Sequence, residues 1–180
     1  MKFWTTIIIL AGSIGVASYQ LTLTLMPTVI MSIVEKRLAD GAAGYNQIHH
    51  GVRSDSNYRN VVRSSPDMLY SRCVYDLSNG PVLFKGVALN ETYWSLSFFQ
   101  HNTDNFFVVN DREIGGEQFN YMLIKEGDVA PNGYAEHQII RSPSSTGIAL
   151  QRIFIAEDST IEAIDSRRRT LTCESYNKQS

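Results

Sequence analysis

The sequence predicts a mainly β fold, an antiparallel sandwich or bent sheet, with an N-terminal transmembrane helix before it and a helix near its C-terminus. Three observations predict this arrangement. No charged residue occurs from Phe3 to Val34, several later segments are short apolar runs separated by turn residues, and Ser159 to Arg169 has a helical pattern. About six or seven strands at this spacing are typical of a sandwich or a strongly bent sheet.

The composition favours one folded domain and excludes several classes of protein. Of the 180 residues, 43% are hydrophobic and 19% are charged, which argues against disorder. Residues 35–180 carry 15 basic and 18 acidic side chains, so nucleic acid is not an expected partner. Two cysteines are too few for a disulfide-dense scaffold or a four-cysteine zinc site.

Residues 1–27 are predicted to form a transmembrane helix. Phe3 to Met26 is a run of 24 residues without a charge, and a helix of that length spans about 36 Å, more than the ~30 Å bilayer core. Pro27 is expected to end or kink the helix. The alternative is a signal peptide cleaved after Gly15-Val16-Ala17. Hydrophobicity continues beyond this site, which favours an uncleaved anchor through residues 3–26.

Residues 28–44 are predicted to form a juxtamembrane amphipathic helix and a linker. The apolar side chains share one helical face and lie opposite the charged residues 35–37; they are Val29, Ile30, Ile33, Val34 and Leu38. Such a helix could lie at the membrane surface or dock onto the soluble domain. Lys2 favours a cytoplasmic N-terminus, whereas Lys36 and Arg37 weaken that bias.

Residues 45–175 are predicted to form the β-rich domain. The segment 39–63 is rich in Gly, Asn, Ser, Asp and His and is expected to be irregular. Tyr93 to Phe99 alternates large apolar residues with serines, the pattern of a half-buried strand. The other expected strands are Val74–Leu77, Val82–Phe84, Phe106–Val109, Tyr121–Ile124, His137–Ile140 and Gly147–Ala156.

The late helix begins with Ser159-Thr160-Ile161-Glu162, which has the form of a capping box with Ser159 as the N-cap. Ile161 and Ile164 provide an apolar stripe. Arg167 to Arg169 follow at the end where cations favour the helix dipole. We expect these arginines to cap the helix and remain solvated; a phosphate or lipid-headgroup contact is the alternative.

Cys73 and Cys173 are expected to form a disulfide if the domain is exported, closing a loop of about 100 residues. In a reducing cytosol, both would be buried thiols. His49, His50, His101 and His137 have no metal-ligand spacing, so we predict neither a metal nor another cofactor. No GxSxG, GxxxxGK[ST] or GxGxxG motif is present, and therefore no residue is predicted to be catalytic.

A polar cleft is the candidate binding site. Its expected lining residues lie in loops beside the predicted strands; they are Arg63, Asp67, Tyr70, Asp104 and Arg112. The competing interpretation is structural, because Asn and Asp beside strands commonly build turns by bonding nearby backbone groups. Arginine–aspartate pairs could equally hold these loops together.

Several segments in order resemble the domain-of-unknown-function 1254 family. The segments that carry the resemblance are Asn46–Gly51, Val61–Tyr70, Asp76–Pro81, Tyr93–Ser97 and Asn102–Arg112. The resemblance extends over about Tyr45 to Cys173 and implies a β-rich domain, here in the short, membrane-anchored bacterial version. Longer relatives carry a second domain, the domain of unknown function 1214, which a separate polypeptide could supply here. The resemblance supplies no activity and no catalytic residue.

The short anchored relatives face the periplasm, so the resemblance supports export and, indirectly, the disulfide. We therefore expect a single-pass protein of the bacterial inner membrane with its soluble domain in the periplasm. The first functional hypothesis is a non-enzymatic, partner-binding envelope protein. The second is a membrane-tethered enzyme or binder for a polar envelope metabolite, with Arg63 or Arg112 as an anion clamp and Asp67 or Asp104 as acid or base. A purely intramembrane regulator is a third reading.

Overall fold

The fold is described from a computed structural model, in which residues 2–41, 44–54, 64–114 and 118–176 are described. Two helices, α1 and α2, and nine strands, β1 to β9, occur within these ranges. In chain order they are α1 (Lys2–Asp40), β1 (Ile48–His50), β2 (Met68–Asp76), β3 (Val82–Val87), β4 (Trp94–Gln100), β5 (Asn105–Asn110), β6 (Gln118–Lys125), β7 (Ile139–Ser142), β8 (Thr146–Phe154), α2 (Ile161–Arg168) and β9 (Thr172–Ser175).

The strands form two sheets, as the mainly β prediction requires. The five-stranded sheet has the order β1-β2-β8-β4-β5 and is antiparallel throughout. The four-stranded sheet has the order β7-β6-β3-β9. Its β6–β7 pair is parallel, which the antiparallel prediction did not include. All seven predicted strands are present with shifted boundaries, and β1 and β9 were not predicted.

One apolar cluster fills the space between the two sheets. Phe84 of the four-stranded sheet meets Phe98 of the five-stranded sheet edge-on at a centroid distance of 5.0 Å. Trp94 stacks on Phe119 across the same space at 5.6 Å. Aromatic side chains bury large apolar areas and prefer such offset or edge-on geometries, so these pairs join the two sheets across the core.

The predicted disulfide is present and links the two sheets. Cys73 lies on β2 and Cys173 on β9, with their Cα atoms 6.4 Å apart. Both half-cystines are fully buried in the core. The bridge therefore closes one side of the sandwich, the side on which β2 and β9 approach each other.

Helix α1 continues through Pro27, so Pro27 does not end the helix, which was one of the two effects expected of it. Proline removes one backbone donor, but the turns on either side remain helical. In the described part of the chain, α1 is the one helix long and apolar enough to cross a membrane, with a span of Phe3–Asp40. Its residues 3–26 are exposed throughout.

The C-terminal end of α1 docks onto the five-stranded sheet. Docking onto the soluble domain was one of the two alternatives predicted for residues 28–44. The docked face was predicted wrongly, however. Met31, Glu35 and Ala39 are buried at a spacing of one helical turn, whereas the predicted apolar face stays exposed at Val29 and Ile33. The face that carries Glu35 packs on the sheet, where Glu35 meets the side chain of His101.

The region around α2 differs from the predicted capping box. A 3₁₀ turn, Asp158–Thr160, precedes the helix, so Thr160 occupies the N-cap position. The hydroxyl of Ser159 donates to Glu157 at 3.3 Å and caps no helix NH group. The apolar stripe is confirmed at Ile164, which is buried.

The arginines at the end of α2 are not all solvated, contrary to expectation. Arg168 is 1% exposed, forms an ion pair with Asp165, and donates to the carbonyl oxygens of Gly51 and Tyr70 at 2.8 and 2.6 Å. Desolvation lowers the pKa of Arg168, and the carboxylate of Asp165 opposes this shift. Arg168 thus ties α2 to the start of the domain.

Candidate functional site

Among the five residues of the predicted polar cleft, Asp104 and Arg112 are not brought together. Arg63 lies outside the described residues. Asp104 and Arg112 lie in loops at opposite ends of β5, a strand that spans about 17 Å. Asp67 is exposed just before β2, and its carbonyl oxygen accepts from the NH group of Ile155 at 2.8 Å.

Asn102 and Asn110 build turns in the loops at the two ends of β5. Asn102 accepts from the NH group of Asp104 at 3.0 Å and donates to the Asp104 carboxylate at 2.8 Å. Asn110 accepts from the NH group of Arg112 at 2.9 Å in the same manner. These are turn-building contacts of the kind that Asn and Asp make with nearby backbone.

Tyr70 is the predicted cleft residue that does lie within a polar surface. It belongs to a row that crosses four strands in register on the outer face of the five-stranded sheet, the face directed away from the core. This first row consists of Tyr70, Arg152, Ser95 and Asn110. The hydroxyl of Tyr70 accepts from the NH group of Ser65 at 3.0 Å, so its ring is held in place.

A second row lies one step along the same face. It consists of Arg72, Leu150, Ser97 and Val108, and His49 of β1 lies beside Arg72. Burial lowers the pKa of His49, and the positive charges of Arg72 and Arg168 lower it further. The neutral imidazole is thus favoured on a face where positive charge accumulates.

A third row on this face lies under α1. Val74 and Ile148 are buried against Met31, with Leu38 and Phe99 packed beside them. The helix therefore covers one end of the outer face, and the two polar rows lie next to the covered part. We call the two polar rows together the outer-face site.

Two serines at the centre of the outer-face site were not recognised as site residues. Ser95 and Ser97 are 1% and 0% exposed. Their hydroxyl oxygens, and the Nε atom of Arg152, are buried without a hydrogen-bond partner among the described residues. Alternation along β4 identifies which face the serines occupy, but the sequence does not reveal that Arg152 pairs with Ser95.

A second polar cluster joins α1 to the sheet. The Nδ1 atom of His101 lies 3.1 Å from Glu35 Oε1 and 3.2 Å from Thr146 Oγ1, and its Nε2 atom lies 3.2 Å from Ser32 Oγ. Glu35 is buried although it is an acid. The hydrogen bond with His101 offsets part of the cost of burying the Glu35 side chain. The cluster thereby fixes the helix on the domain.

A third feature is a cleft of about 640 Å³ on the side of the sandwich opposite the disulfide. Phe107 of β5 and Phe119 and Tyr121 of β6 line its apolar part. The rings of Phe107 and Tyr121 meet edge-on, with their centroids 5.8 Å apart. Burial raises the pKa of Tyr121, and the carboxylate of Glu113 raises it further. The polar rim adds Asn120 and Gln138, which are hydrogen-bonded to each other, and His137. We call this feature the aromatic cleft.

The residues that form the two sheets are also those that match the model of a known protein family. The profile of the family described as "Protein of unknown function (DUF1254)" matches residues 45–175, which include both sheets, the outer-face site and the aromatic cleft. The chain belongs to this family. Its helix α1 lies before the matched residues.

Two solved structures have a fold similar to that of this DUF1254 protein. One is the VPA0106 protein from Vibrio parahaemolyticus, with a TM-score of 0.64 and 13% identity over 83% of this chain and 35% of that chain. The other is an uncharacterised protein from Burkholderia cenocepacia, with a TM-score of 0.51 and 15% identity over 87% of this chain and 41% of that chain. Neither name states a function. No curated protein shows significant similarity to this chain.

The two neighbours are much longer than the part that resembles this chain. The matched part is 35% of one chain and 41% of the other. At these identities the likeness concerns the fold alone. In the described residues, no group of three or more His, Cys, Asp or Glu side chains is arranged to hold a metal ion.

Proposed function

We propose that this DUF1254 protein is a single-pass protein of the bacterial inner membrane whose periplasmic β-domain binds a second polypeptide. The anchor rests on α1, which is apolar and exposed along residues 3–26. Such a surface is stable in a bilayer but not in water. The periplasmic location rests on the buried Cys73–Cys173 disulfide, because disulfides persist in oxidising compartments.

The partner-binding function rests chiefly on the aromatic cleft. Phe107 and Tyr121 are only half-buried there, while Phe84, Trp94 and Phe98 of the same core cluster are fully buried. Aromatic side chains in a concave, polar-rimmed surface are typical of the energetically important centre of a protein interface. The occupant we propose is a separate polypeptide that carries a 1214-type domain.

The lengths of the structural neighbours support this choice of partner. Each continues well beyond the matched part, so a β-domain of this kind occurs there with further polypeptide in the same chain. We propose that in this protein another chain supplies the corresponding contacts.

The test is co-expression of the full-length protein with a 1214-type polypeptide from the same bacterium, followed by affinity measurement in neutral detergent. Replacement of a central interface aromatic typically removes about 2 kcal/mol or more. We therefore expect Tyr121→Ala to weaken binding at least about tenfold. Tyr93→Ala is the matched control, since Tyr93 is 44% exposed and does not line the cleft. Wild-type affinity in Tyr121→Ala, or no association at all, would contradict the proposal.

A second candidate function is a membrane-tethered binder for a polar envelope metabolite. The observation that favours it is the outer-face site, where Tyr70 lies in register with Arg152. The combination of Arg112 as the anion clamp with Asp104 as the acid or base has no geometric support, because the two residues lie at opposite ends of β5. This candidate is therefore a binder, with Arg152 in the place of the predicted anion clamp.

A further inference from the structure

Three buried polar atoms on the outer face have no hydrogen-bond partner among the described residues. They are the Nε atom of Arg152 and the hydroxyl oxygens of Ser95 and Ser97. A buried polar group left unpaired costs about 1–3 kcal/mol, and native structures keep few of them. Three in one place indicate a missing binding partner rather than three unrelated defects.

The three atoms lie close enough to meet one ligand. Ser95 is the direct cross-strand neighbour of Arg152, which places their Cβ atoms about 5 Å apart. Ser97 is two residues further along β4 on the same face, which places its Cβ atom about 7 Å from that of Ser95. Arg152 is only half-buried, so the same side chain reaches from the buried serines towards solvent.

The chemistry of the three groups specifies the ligand class. The guanidinium of arginine can only donate, and each serine hydroxyl can donate to an acceptor. Arg152 has no carboxylate partner in the described part of the chain. Arg72 continues the positive edge of the site one row away. The complement of such a set is a compact anion with several acceptor oxygens.

We propose that the outer-face site binds an oxyanion of the phosphate class. Its oxygens accept hydrogen bonds from Arg152 Nε and from the hydroxyls of Ser95 and Ser97. The site is distinct from the aromatic cleft, so it is independent of the partner-binding function, and it gives the second candidate function a defined location. The anion is either a free phosphate group or a lipid headgroup, since α1 covers the adjoining row of the same face.

The first test is calorimetric titration of the full-length protein with inorganic phosphate in a neutral detergent. We expect saturable binding of one phosphate per chain. Arg152→Gln is expected to weaken it at least tenfold, and Ser97→Ala severalfold. Arg141→Gln is the matched control, because Arg141 lies on β7 of the other sheet and is paired with Glu136. Absence of saturable binding at millimolar phosphate, or unchanged binding in Arg152→Gln, would overturn the proposal.

Thermal unfolding separates a binding role of the serines from a structural one. Without phosphate, Ser97→Ala removes a hydroxyl that has no partner, so its melting temperature should equal or exceed that of the wild type. With phosphate, the wild type should gain more stability than Ser97→Ala, because the variant binds the anion severalfold more weakly. A melting temperature of Ser97→Ala that is lower without phosphate would overturn the proposal, since it would mean that the hydroxyl is already satisfied.

The source of the anion is decided by repeating the titration in nanodiscs. If phosphate binds equally well in neutral and in anionic lipid, the occupant is a soluble phosphate compound. If anionic lipid abolishes phosphate binding in the wild type while neutral lipid preserves it, a headgroup occupies the site. Both outcomes support the phosphate class. Failure of the Tyr121→Ala test leaves this inference intact, because Tyr121 is not part of the outer-face site and the three proposed donors, Arg152, Ser95 and Ser97, do not line the aromatic cleft.

Discussion

Reduction of the Cys73–Cys173 disulfide is expected to destabilise the β-domain by several kcal/mol. The two residues are 100 positions apart in the chain, and the chain-entropy model credits a crosslink that closes such a loop with about 4.7 kcal/mol. Measured losses for native disulfides are typically about 2–5 kcal/mol. Both sulfur atoms stay buried after reduction because Cys73 and Cys173 are 0% and 2% exposed. The effect should therefore come mainly from the freed unfolded chain.

The assay is urea unfolding of the full-length protein in neutral detergent, with and without a reductant. A Trp4→Phe background leaves Trp94 as the single tryptophan. Trp94 is 0% exposed and stacks on Phe119, so its emission should shift to longer wavelength when the sandwich opens. Linear extrapolation of the two curves gives the difference in the free energy of unfolding.

The control is the double variant Cys73→Ala/Cys173→Ala, whose unfolding should not respond to the reductant. A difference below about 1 kcal/mol between the oxidised and reduced wild type would refute the reasoning, because a link across a long loop must restrict the unfolded chain. An equal response of the double variant would assign the effect to the reductant instead of the disulfide.

Three further substitutions test other parts of the structure. Burial lowers the pKa of His50 to about 4. The free energy of unfolding should therefore fall by ~1–3 kcal/mol as the pH drops from about 6.5 to 4. Melting curves recorded across this pH range should show that His50→Gln abolishes the loss. Gly147→Ala should lose ~2–4 kcal/mol in urea unfolding, because its Cβ would lie 2.2 Å from the Phe99 carbonyl oxygen. The free energy of unfolding of His101→Ala should be ~1–3 kcal/mol lower by the same assay, because Glu35 stays buried without its partner. An unchanged urea midpoint in Gly147→Ala or His101→Ala would contradict the corresponding contact.

Much of the fold could be predicted from the sequence because local patterns determine it. The alternation from Trp94 to Phe98 identifies β4 and its core face, and the uncharged run after Phe3 identifies α1. The strand β1 was missed since Ile48-His49-His50 has one apolar residue and its backbone pairs with β2. Its partner strand is distant in sequence, so no local signal was available.

The candidate sites were harder to predict because they depend on register and docking. Arg152 meets Ser95 only because β8 pairs with β4, and Glu35 meets His101 across 66 positions of sequence. The same reason explains why Asp104 and Arg112 do not meet: they are close in sequence, but β5 separates them. The docked face of α1 was predicted from hydrophobicity alone, whereas the polar pair of Glu35 with His101 decided it.

Native mass spectrometry of the full-length protein, extracted from its own membranes in mild detergent, tests the central claim most directly. One spectrum reports the N-terminus, the oxidation state of Cys73 and Cys173, and any bound chain. The account predicts an uncleaved, oxidised chain in a stoichiometric complex with a 1214-type polypeptide. A chain that is shortened by its first residues and carries no second polypeptide would contradict both the anchor and the partner-binding function.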